Sequence, residues 1–245
     1  MPRRLRPALA ALVALTSVGA SHRTPNFQVE APTPEVARQV GAAAERHRKA
    51  LAVLWLGKEM APWAETCALQ VDITLNGTAG STTFDFANDR VCVRKIKVRG
   101  QLDRVLSSVL PHEIAHTIFA HQVRQPVPRW ADEGAAVLAG DLIDHQRFDR
   151  QMRRLLQTGQ EMSLRRLFAC QDFPPYPEQI LALYAQGYSV SRFLLEVGDR
   201  QTFLGFLARA LREGWDNAVR VSYRYQSVDQ LEVAWRAWVR KQVPQ

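Results

Sequence analysis

The chain has 245 residues, of which 47% are hydrophobic and 23% are charged. This composition excludes a disordered, collagen-like or low-complexity chain, and the length suits one large domain that buries roughly 70% of its unfolded surface. The formal net charge is +8. Because the positive residues are scattered and accompany no recognition motif, we expect no nucleic-acid partner.

The N-terminal segment, residues 1–20, has the three parts of a secretory signal peptide. It begins with the basic sequence PRRLRP, continues with about a dozen mostly apolar residues and ends in the small residues Val18-Gly19-Ala20. Cleavage there makes Ser21 the first mature residue and lowers the formal charge to +5, with 29 basic and 24 acidic residues. The apolar run is shorter than the about 20 residues that cross a bilayer. We therefore expect an exported protein, periplasmic or extracellular, without a transmembrane anchor.

Residues 21–100 are predicted to form an α/β subdomain whose helix precedes most of its strands. Thr33 is a helix-capping residue type, and Pro34 suits the first helical position. From there apolar residues recur at every third or fourth position as far as Gly57. This spacing predicts a long amphipathic helix that ends near Leu56.

Four short strands are predicted in this subdomain, and we expect them to form a small antiparallel sheet. In the last strand the apolar positions change from odd to even numbers, which predicts a β-bulge near Arg94 and Lys95. Cys67 and Cys92 are the preferred disulfide pair in an oxidising compartment, with free buried thiols as the alternative. The four strands cover residues 26–30, residues 69–75, a segment that carries Phe84 and Phe86, and residues 91–98.

Residues 101–245 are predicted to form a helical subdomain, which makes the whole chain an α+β protein with a small sheet packed beside a mostly helical half. No strand pattern follows Gln101, and prolines mark the breaks between helices. The predicted helices cover residues 102–121, 129–142, 146–157, 178–197, 200–213 and 228–240.

The first of these helices carries a group of polar residues on an otherwise apolar surface. An apolar helix is normally buried, and His112, Glu113 and His116 fall within one arc of about 100°. Burying these groups without partners costs several kcal/mol. Histidines at i and i+4 can place both rings about 2.0 Å from one Zn²⁺, and HEIAH matches the H-E-x-x-H zinc pattern. The sequence therefore predicts one zinc ion per chain, with buried structural histidines as the alternative.

A hydrolytic zinc site takes three protein ligands and keeps one position open. The third ligand is expected from the helix that begins PRWADEG, whose small residues (Gly134 and the alanines after it) suit close packing on the metal-bearing helix. Glu133 is the preferred ligand. Asp132, about 100° around the helix, is the competitor and fits better as an outer acceptor. His121 lies on the opposite face of its helix and is left out.

These motifs resemble those of the gluzincin metallopeptidases, the superfamily of thermolysin and the zinc aminopeptidases. VLPHEIAHTIFA together with VPRWADEGAAVLA is most similar to the peptidase-MA-like domains of exported bacterial proteins, and YAQGYSVSRFLLEVGD and SVDQLEVAWRAWV resemble the helical half of those domains. The resemblance covers roughly residues 100–240. The N-terminal sheet matches only in general architecture.

The resemblance implies that His112, His116 and Glu133 bind Zn²⁺ and that Glu113 is the general base in the hydrolysis of a peptide or protein substrate. Tyr184 and Tyr188 are candidates for the phenol that stabilises the oxyanion, as gluzincins often use a downstream tyrosine. The alternative for both tyrosines is an aromatic stripe in the core.

The resemblance also assigns the basic sequence RKIKVR, residues 94–99, to the strand that lines the substrate cleft, although such a run is more often a solvated strand face. The G-x-M-E-N sequence of the aminopeptidases is absent before HEIAH, which favours an endopeptidase. A catalytically silent exported protein that keeps the fold as a binding scaffold is the alternative function. The sequence does not indicate the oligomeric state.

Overall fold

The structure is a computed structural model that describes residues 19–87 and 90–242. It confirms the α+β class, with a small N-terminal sheet and its helix followed by a mostly helical half. The predicted signal peptide lies outside the described residues except for Gly19 and Ala20. Among the described helices, none is both long and apolar enough to cross a membrane.

The sheet has five strands in the order β1-β2-β3-β5-β4. It is mixed, so the expectation of an antiparallel sheet is wrong: β2 pairs with β3 in parallel and β3 pairs with β5 in parallel. The physical reason is the long helix between β2 and β3, because such a crossover returns the chain in the same direction. The strands are β1 (Ala20–Arg23), β2 (Phe27–Ala31), β3 (Cys67–Ile73), β4 (Ala79–Ala87) and β5 (Arg90–Gly100).

The crossover helix α1 (Pro34–Leu56) has the predicted ends. The Thr33 side chain accepts a hydrogen bond from the backbone N–H of Val36, and Gly57 ends the helix with a φ of 74°. Glycine adopts this left-handed conformation without the steric cost of a Cβ. The predicted β-bulge is confirmed as well, because Thr83 pairs with Lys95 and the next residue pairs with Val93, which leaves Arg94 unpaired.

All three cysteines are thiols, so the preferred Cys67–Cys92 disulfide is wrong. Cys67 is fully buried on the core face of β3, and burial raises the pKa of its thiol to about 12. Cys92 pairs in register with the exposed Asp85. Successive residues of a strand point to opposite faces, and Cys92 precedes the buried Val93, so the two thiols lie on different faces of the sheet.

The helical half has two short helices, α6 and α9, that were not predicted, and most of its other helices lie within a few residues of their predicted bounds. Helix α1 packs against α3, so one hydrophobic core joins the sheet to the helices. The remaining helices are α2 (Leu102–Arg104), α3 (Leu110–Val123), α4 (Arg129–Val137), α5 (Leu142–Thr158), α6 (Leu164–Phe168), α7 (Pro177–Val197), α8 (Arg200–Glu213), α9 (Trp215–Tyr223) and α10 (Val228–Lys241).

A π-helical turn, Val105–Val109, joins α2 to α3 and was not predicted. Pro111 explains it, because proline has no N–H and its ring clashes with the carbonyl one turn earlier. In π geometry the carbonyl of Leu106 would accept from residue 111, which has nothing to donate. Instead His47 of α1 places Nε2 3.0 Å from that carbonyl. The interruption just before the histidines is therefore stabilised from outside the helix.

Helices α4 and α7 cross with their backbones in contact. A Cβ at Gly134 would lie 2.2 Å from the carbonyl carbon of Gly187, and a Cβ at Gly187 would lie 2.3 Å from the carbonyl oxygen of Trp130. The predicted role of Gly134, close packing on the metal-bearing helix, is therefore wrong: this glycine admits α7. The crossing brings α7 beside the acidic residues of α4.

Candidate metal centre

Helix α3 presents two histidines and a glutamate on one buried face. The rings of His112 and His116 lie 4.8 Å apart between centroids and are nearly perpendicular. One ligand atom each of His112, Glu113 and His116 lies within 4.8 Å of the other two. Two of the three, Glu113 and His116, are buried. The HEIAH spacing therefore converges as the sequence predicts.

Helix α4 adds the third predicted ligand from the opposite side. Glu133 Oε2 lies 3.3 Å from Nε2 of His112 and 3.7 Å from Nε2 of His116, and its side chain is 5% exposed. His116, Asp132 and Glu133 form a second group whose ligand atoms lie within 4.8 Å of one another. These His, Asp and Glu side chains are a set that could hold a metal ion.

Asp132 has a different relation to the histidines. Its Oδ1 lies 2.8 Å from Nδ1 of His116. Because a carboxylate only accepts, Nδ1 of His116 donates the proton of this hydrogen bond, and Nε2 is the nitrogen left to face Glu133 and a metal ion. Carboxylate–histidine pairs of this kind orient metal ligands. The placement suits the outer-acceptor role expected for Asp132.

The electrostatics of the centre favour positive charge. Burial lowers the pKa of His116, but the Asp132 and Glu133 carboxylates outweigh it and raise the pKa to about 10. Burial raises the pKa of Glu133, and the two imidazoles outweigh it, so the net shift is downward. In the described part of the chain, Glu113, Asp132 and Glu133 accept no hydrogen bond from a lysine or arginine.

Strand β4 closes over Glu113, a contact that the sequence did not reveal. The Thr82 hydroxyl donates to Glu113 Oε2 at 2.6 Å. A Cβ at Gly80 would lie 2.1 Å from Glu113 Oε1, so a larger residue here would displace the carboxylate from this position. Two small residues in a polar strand carry no pattern that predicts this role.

The strand beside the centre is β4, so the assignment of residues 94–99 of β5 to the cleft is wrong. Strand β5 lies inside the sheet, between β3 and β4. Its Ile96 and Val98 are buried, whereas Lys97 and Arg99 are exposed, with Arg99 paired to Asp72 at 3.3 Å. The basic run is thus a solvated strand face.

The structure separates the two candidate tyrosines. Tyr184 lies at the centre: its ring is parallel to that of His112 at 6.3 Å, and the nearby Glu133 carboxylate adds to burial in raising the pKa of its phenol. Tyr188 points away and packs on His145 and Phe148. The candidacy of Tyr188 for the oxyanion is therefore wrong, because one turn of α7 carries it to α5.

Cavities lie on two sides of this centre. A cleft of about 420 Å³ is lined by Gly80–Phe84 of β4, by Glu113, His116 and Glu133, and by an aromatic and basic end at Arg129 and Phe173. We call it the substrate-side cleft. A second cavity of about 300 Å³ borders the same Gly80, Glu113 and Tyr184 from the side of α5. Glu113 therefore faces open space in two directions.

His121, left out of the site, indeed lies elsewhere. Its ring is stacked on Trp63 at 5.9 Å, and its Nδ1 bonds the carbonyl of Thr117.

Comparisons of the chain with protein-family models, with curated proteins and with solved structures found no match. A proposal for the function therefore depends on the geometry of the site.

Proposed function

We propose that the protein is an exported zinc metallopeptidase that hydrolyses peptide bonds as an endopeptidase. One observation carries the proposal: the Glu133 carboxylate lies within 3.7 Å of Nε2 of both His112 and His116, beside a glutamate that faces a cleft. Two imidazoles and one carboxylate are the ligand set of a catalytic zinc site. Export is supported only by the composition of residues 1–20.

The residues present fit a bound zinc ion. The three ligand atoms converge from two helices, Asp132 engages Nδ1 of His116 so that Nε2 is the nitrogen turned to the metal position, and the carboxylates of the centre favour a cation. His112, His116 and Glu133 would hold the ion. When bound, zinc acts as a Lewis acid on a carbonyl and lowers the pKa of water.

Glu113 is placed to act as the general base. Its carboxylate lies at the junction of the two cavities and is not neutralised by a lysine or arginine among the described residues. It accepts the proton of the attacking water and delivers that proton to the leaving amine. Thr82 fixes the carboxylate during these transfers with its 2.6 Å hydrogen bond. A positioned carboxylate contributes about 10²- to 10⁴-fold to the rate.

Tyr184 supplies a donor beside the reacting carbonyl. Burial and the neighbouring Glu133 both raise the pKa of its phenol, so the proton stays on the oxygen at neutral pH. A buried donor aimed at a developing oxyanion is a large catalytic term. The cavities on both sides of Glu113 leave room for chain before and after the scissile bond, which supports an endopeptidase.

The test is a comparison of wild type with Glu113→Gln, both loaded with zinc. We expect both proteins to fold and to hold one zinc per chain, because Glu113 is not a ligand in this proposal. Wild type should cleave a mixed peptide library, and the variant should lose at least about 100-fold in kcat/KM. Zinc-loaded wild type that cleaves nothing contradicts the peptidase proposal and favours the binding scaffold.

A further inference from the structure

Arg129 stands at the end of the substrate-side cleft, beside the third candidate ligand. It is the first residue of α4, and its Nη1 lies 4.0 Å from Glu133 Oε1. The other oxygen of the same carboxylate, Oε2, faces the two histidines. A group bound by Arg129 would therefore lie one side chain away from the metal position.

The guanidinium is held in place without using its hydrogen-bond donors. Its Cζ lies 4.6 Å from the ring centroid of Phe173, a cation–π contact that fixes the plane of the group. The Glu133 oxygen at 4.0 Å is beyond hydrogen-bond distance. In the described part of the chain, the Arg129 side chain makes no hydrogen bond, although it has five N–H donors.

Other arginines of the protein show the contrast. Arg104, Arg165 and Arg192 each donate to an aspartate at 2.7–3.2 Å. These three arginines join elements of the fold. Among the described residues that line the cleft, Arg129 is the only lysine or arginine. Its donors therefore remain available to a ligand in the cleft.

The distance limits which part of a peptide can reach this residue. An extended chain advances at most about 3.6 Å per residue, and Arg129 lies within one carboxylate of the metal position. A group that contacts the guanidinium therefore belongs to a residue within two positions of the scissile bond. The planar fork of arginine matches a carboxylate in two parallel hydrogen bonds.

We propose that Arg129 is a specificity-determining residue that binds a substrate carboxylate, so that the enzyme selects peptides with a carboxylate within two residues of the scissile bond. This inference rests on the proposed peptidase function. The carboxylate is either an Asp or Glu side chain or the C-terminus of the peptide. Phe173 positions the guanidinium for it.

The experiment measures binding, so that it does not depend on turnover. Zinc-loaded full-length Glu113→Gln is titrated with fluorescent peptides, and the dissociation constant is read by anisotropy. One arm compares Asp with Asn at each position of an amidated peptide. The other arm compares the same Asn peptide with a free and with an amidated C-terminus. We expect one arm to show a preference of about 10- to 100-fold for the carboxylate.

The variant Arg129→Gln, made in the same background, should abolish this preference by weakening the binding of the carboxylate peptide toward that of the uncharged peptide. The matched control is Arg150→Gln, which changes an exposed arginine of α5. Zinc content and circular dichroism confirm that each variant is folded. A preference in the first arm assigns a side-chain carboxylate and agrees with an endopeptidase. A preference in the second arm assigns the C-terminus and replaces the proposed endopeptidase mode with a carboxypeptidase mode.

The proposal is overturned by equal affinities in both arms, by a preference that survives Arg129→Gln, or by the absence of measurable binding of every carboxylate peptide. Failure of the peptidase proposal looks different, because it appears as zinc-loaded wild type that cleaves nothing while binding is measured separately. The two ideas can therefore fail independently.

Discussion

Two clusters of partly or fully buried carboxylates in the protein differ in the groups that face them. In the first, Arg104 donates to both oxygens of Asp144 at 2.9 Å and also pairs with Asp141, and Ser108 bonds the same Asp144. In the second, the metal centre, three carboxylates face two imidazoles and receive no hydrogen bond from a lysine or arginine among the described residues. In the first cluster a guanidinium pairs with the carboxylates, whereas the second has no such partner at hydrogen-bond distance among the described residues, and its carboxylates favour a bound cation.

The histidine at the candidate metal centre and two histidines elsewhere in the fold differ in the direction of their pKa shifts. At the metal centre, carboxylates overcome the cost of burial and raise the pKa of His116. At the π turn and beside Trp63, burial lowers the pKa of His47 and His121, which face backbone carbonyls. Histidine and carboxylate positions alone do not mark a site. The carboxylates around His116 separate the candidate metal site from the other histidines, which face backbone carbonyls.

The largest expected effect is a loss of zinc affinity at the candidate metal centre. Glu133→Ala removes a ligand and should weaken zinc binding by at least about 10³-fold, whereas Asp132→Ala removes only the acceptor for His116 and should cost about 10- to 100-fold. Zinc affinities from competition with a chelator measure both. Equal losses in the two variants contradict the assignment of Glu133 as ligand and Asp132 as orienting residue.

The next largest effect is on stability, in the cluster formed by Arg104, Asp141 and Asp144. Arg104→Gln leaves Asp141 and Asp144 without their cation, and we expect the free energy of unfolding to fall by about 2 kcal/mol, between the values for exposed and fully buried pairs. Urea unfolding measures it. Adding Asp144→Asn to that variant should restore part of the loss, because the unpaired charge is gone. Zinc content should stay at one per chain, and a loss of zinc would mean that the clusters are not independent.

A smaller effect on kcat/KM is expected at Thr82, which contacts the proposed general base Glu113. Thr82→Val removes the only side-chain hydroxyl that bonds the Glu113 carboxylate in the described structure, and kcat/KM should fall about tenfold, as for one charge-assisted hydrogen bond. Zinc affinity should not change. The control is Thr82→Ser, which keeps the hydroxyl and should recover most of the activity. Equal activity of the Val and Ser variants contradicts a positioning role.

The smallest effect is a pH dependence. His47 has a pKa below its usual value of 6.5 because it is buried. The unfolded chain therefore binds more protons than the folded one, so this contribution to stability is present above pH 6.5 and is lost as the pH falls. His47→Gln keeps a donor for Leu106 without this titration. Its unfolding free energy should decline less steeply between pH 7 and pH 5, and an unchanged slope excludes His47 as a source.

Local patterns predicted much of this molecule. The cap at Thr33, the bulge at Arg94 and the face shared by His112, Glu113 and His116 all depend on residues close together in the chain. Their physical causes, capping, strand alternation and helical spacing, are therefore readable from sequence. The choice of Glu133 over Asp132 as the ligand used helical spacing together with the family resemblance, and it stays a prediction.

The remaining features depend on contacts between distant segments. Strand β4 reaches Glu113 because β5 enters the sheet between β3 and β4, and no residue pattern encodes that order. Tyr184 and Tyr188 differ by one turn, and the crossing of α4 with α7 at Gly134 decides which one meets Glu133. Spacing within one helix could not make that distinction.

The π turn at Val105–Val109 has a consequence for how the chain tolerates change in length. Such a turn is equivalent to one surplus residue in a regular helix, and removing that residue rotates everything after it by about 100°. Because α2 follows directly on β5, a single deletion in the turn would swing both imidazoles out of line with the carboxylate of α4. The direction in which both histidines point therefore depends on residues outside the ligand set, namely Pro111 just before them and His47 of α1.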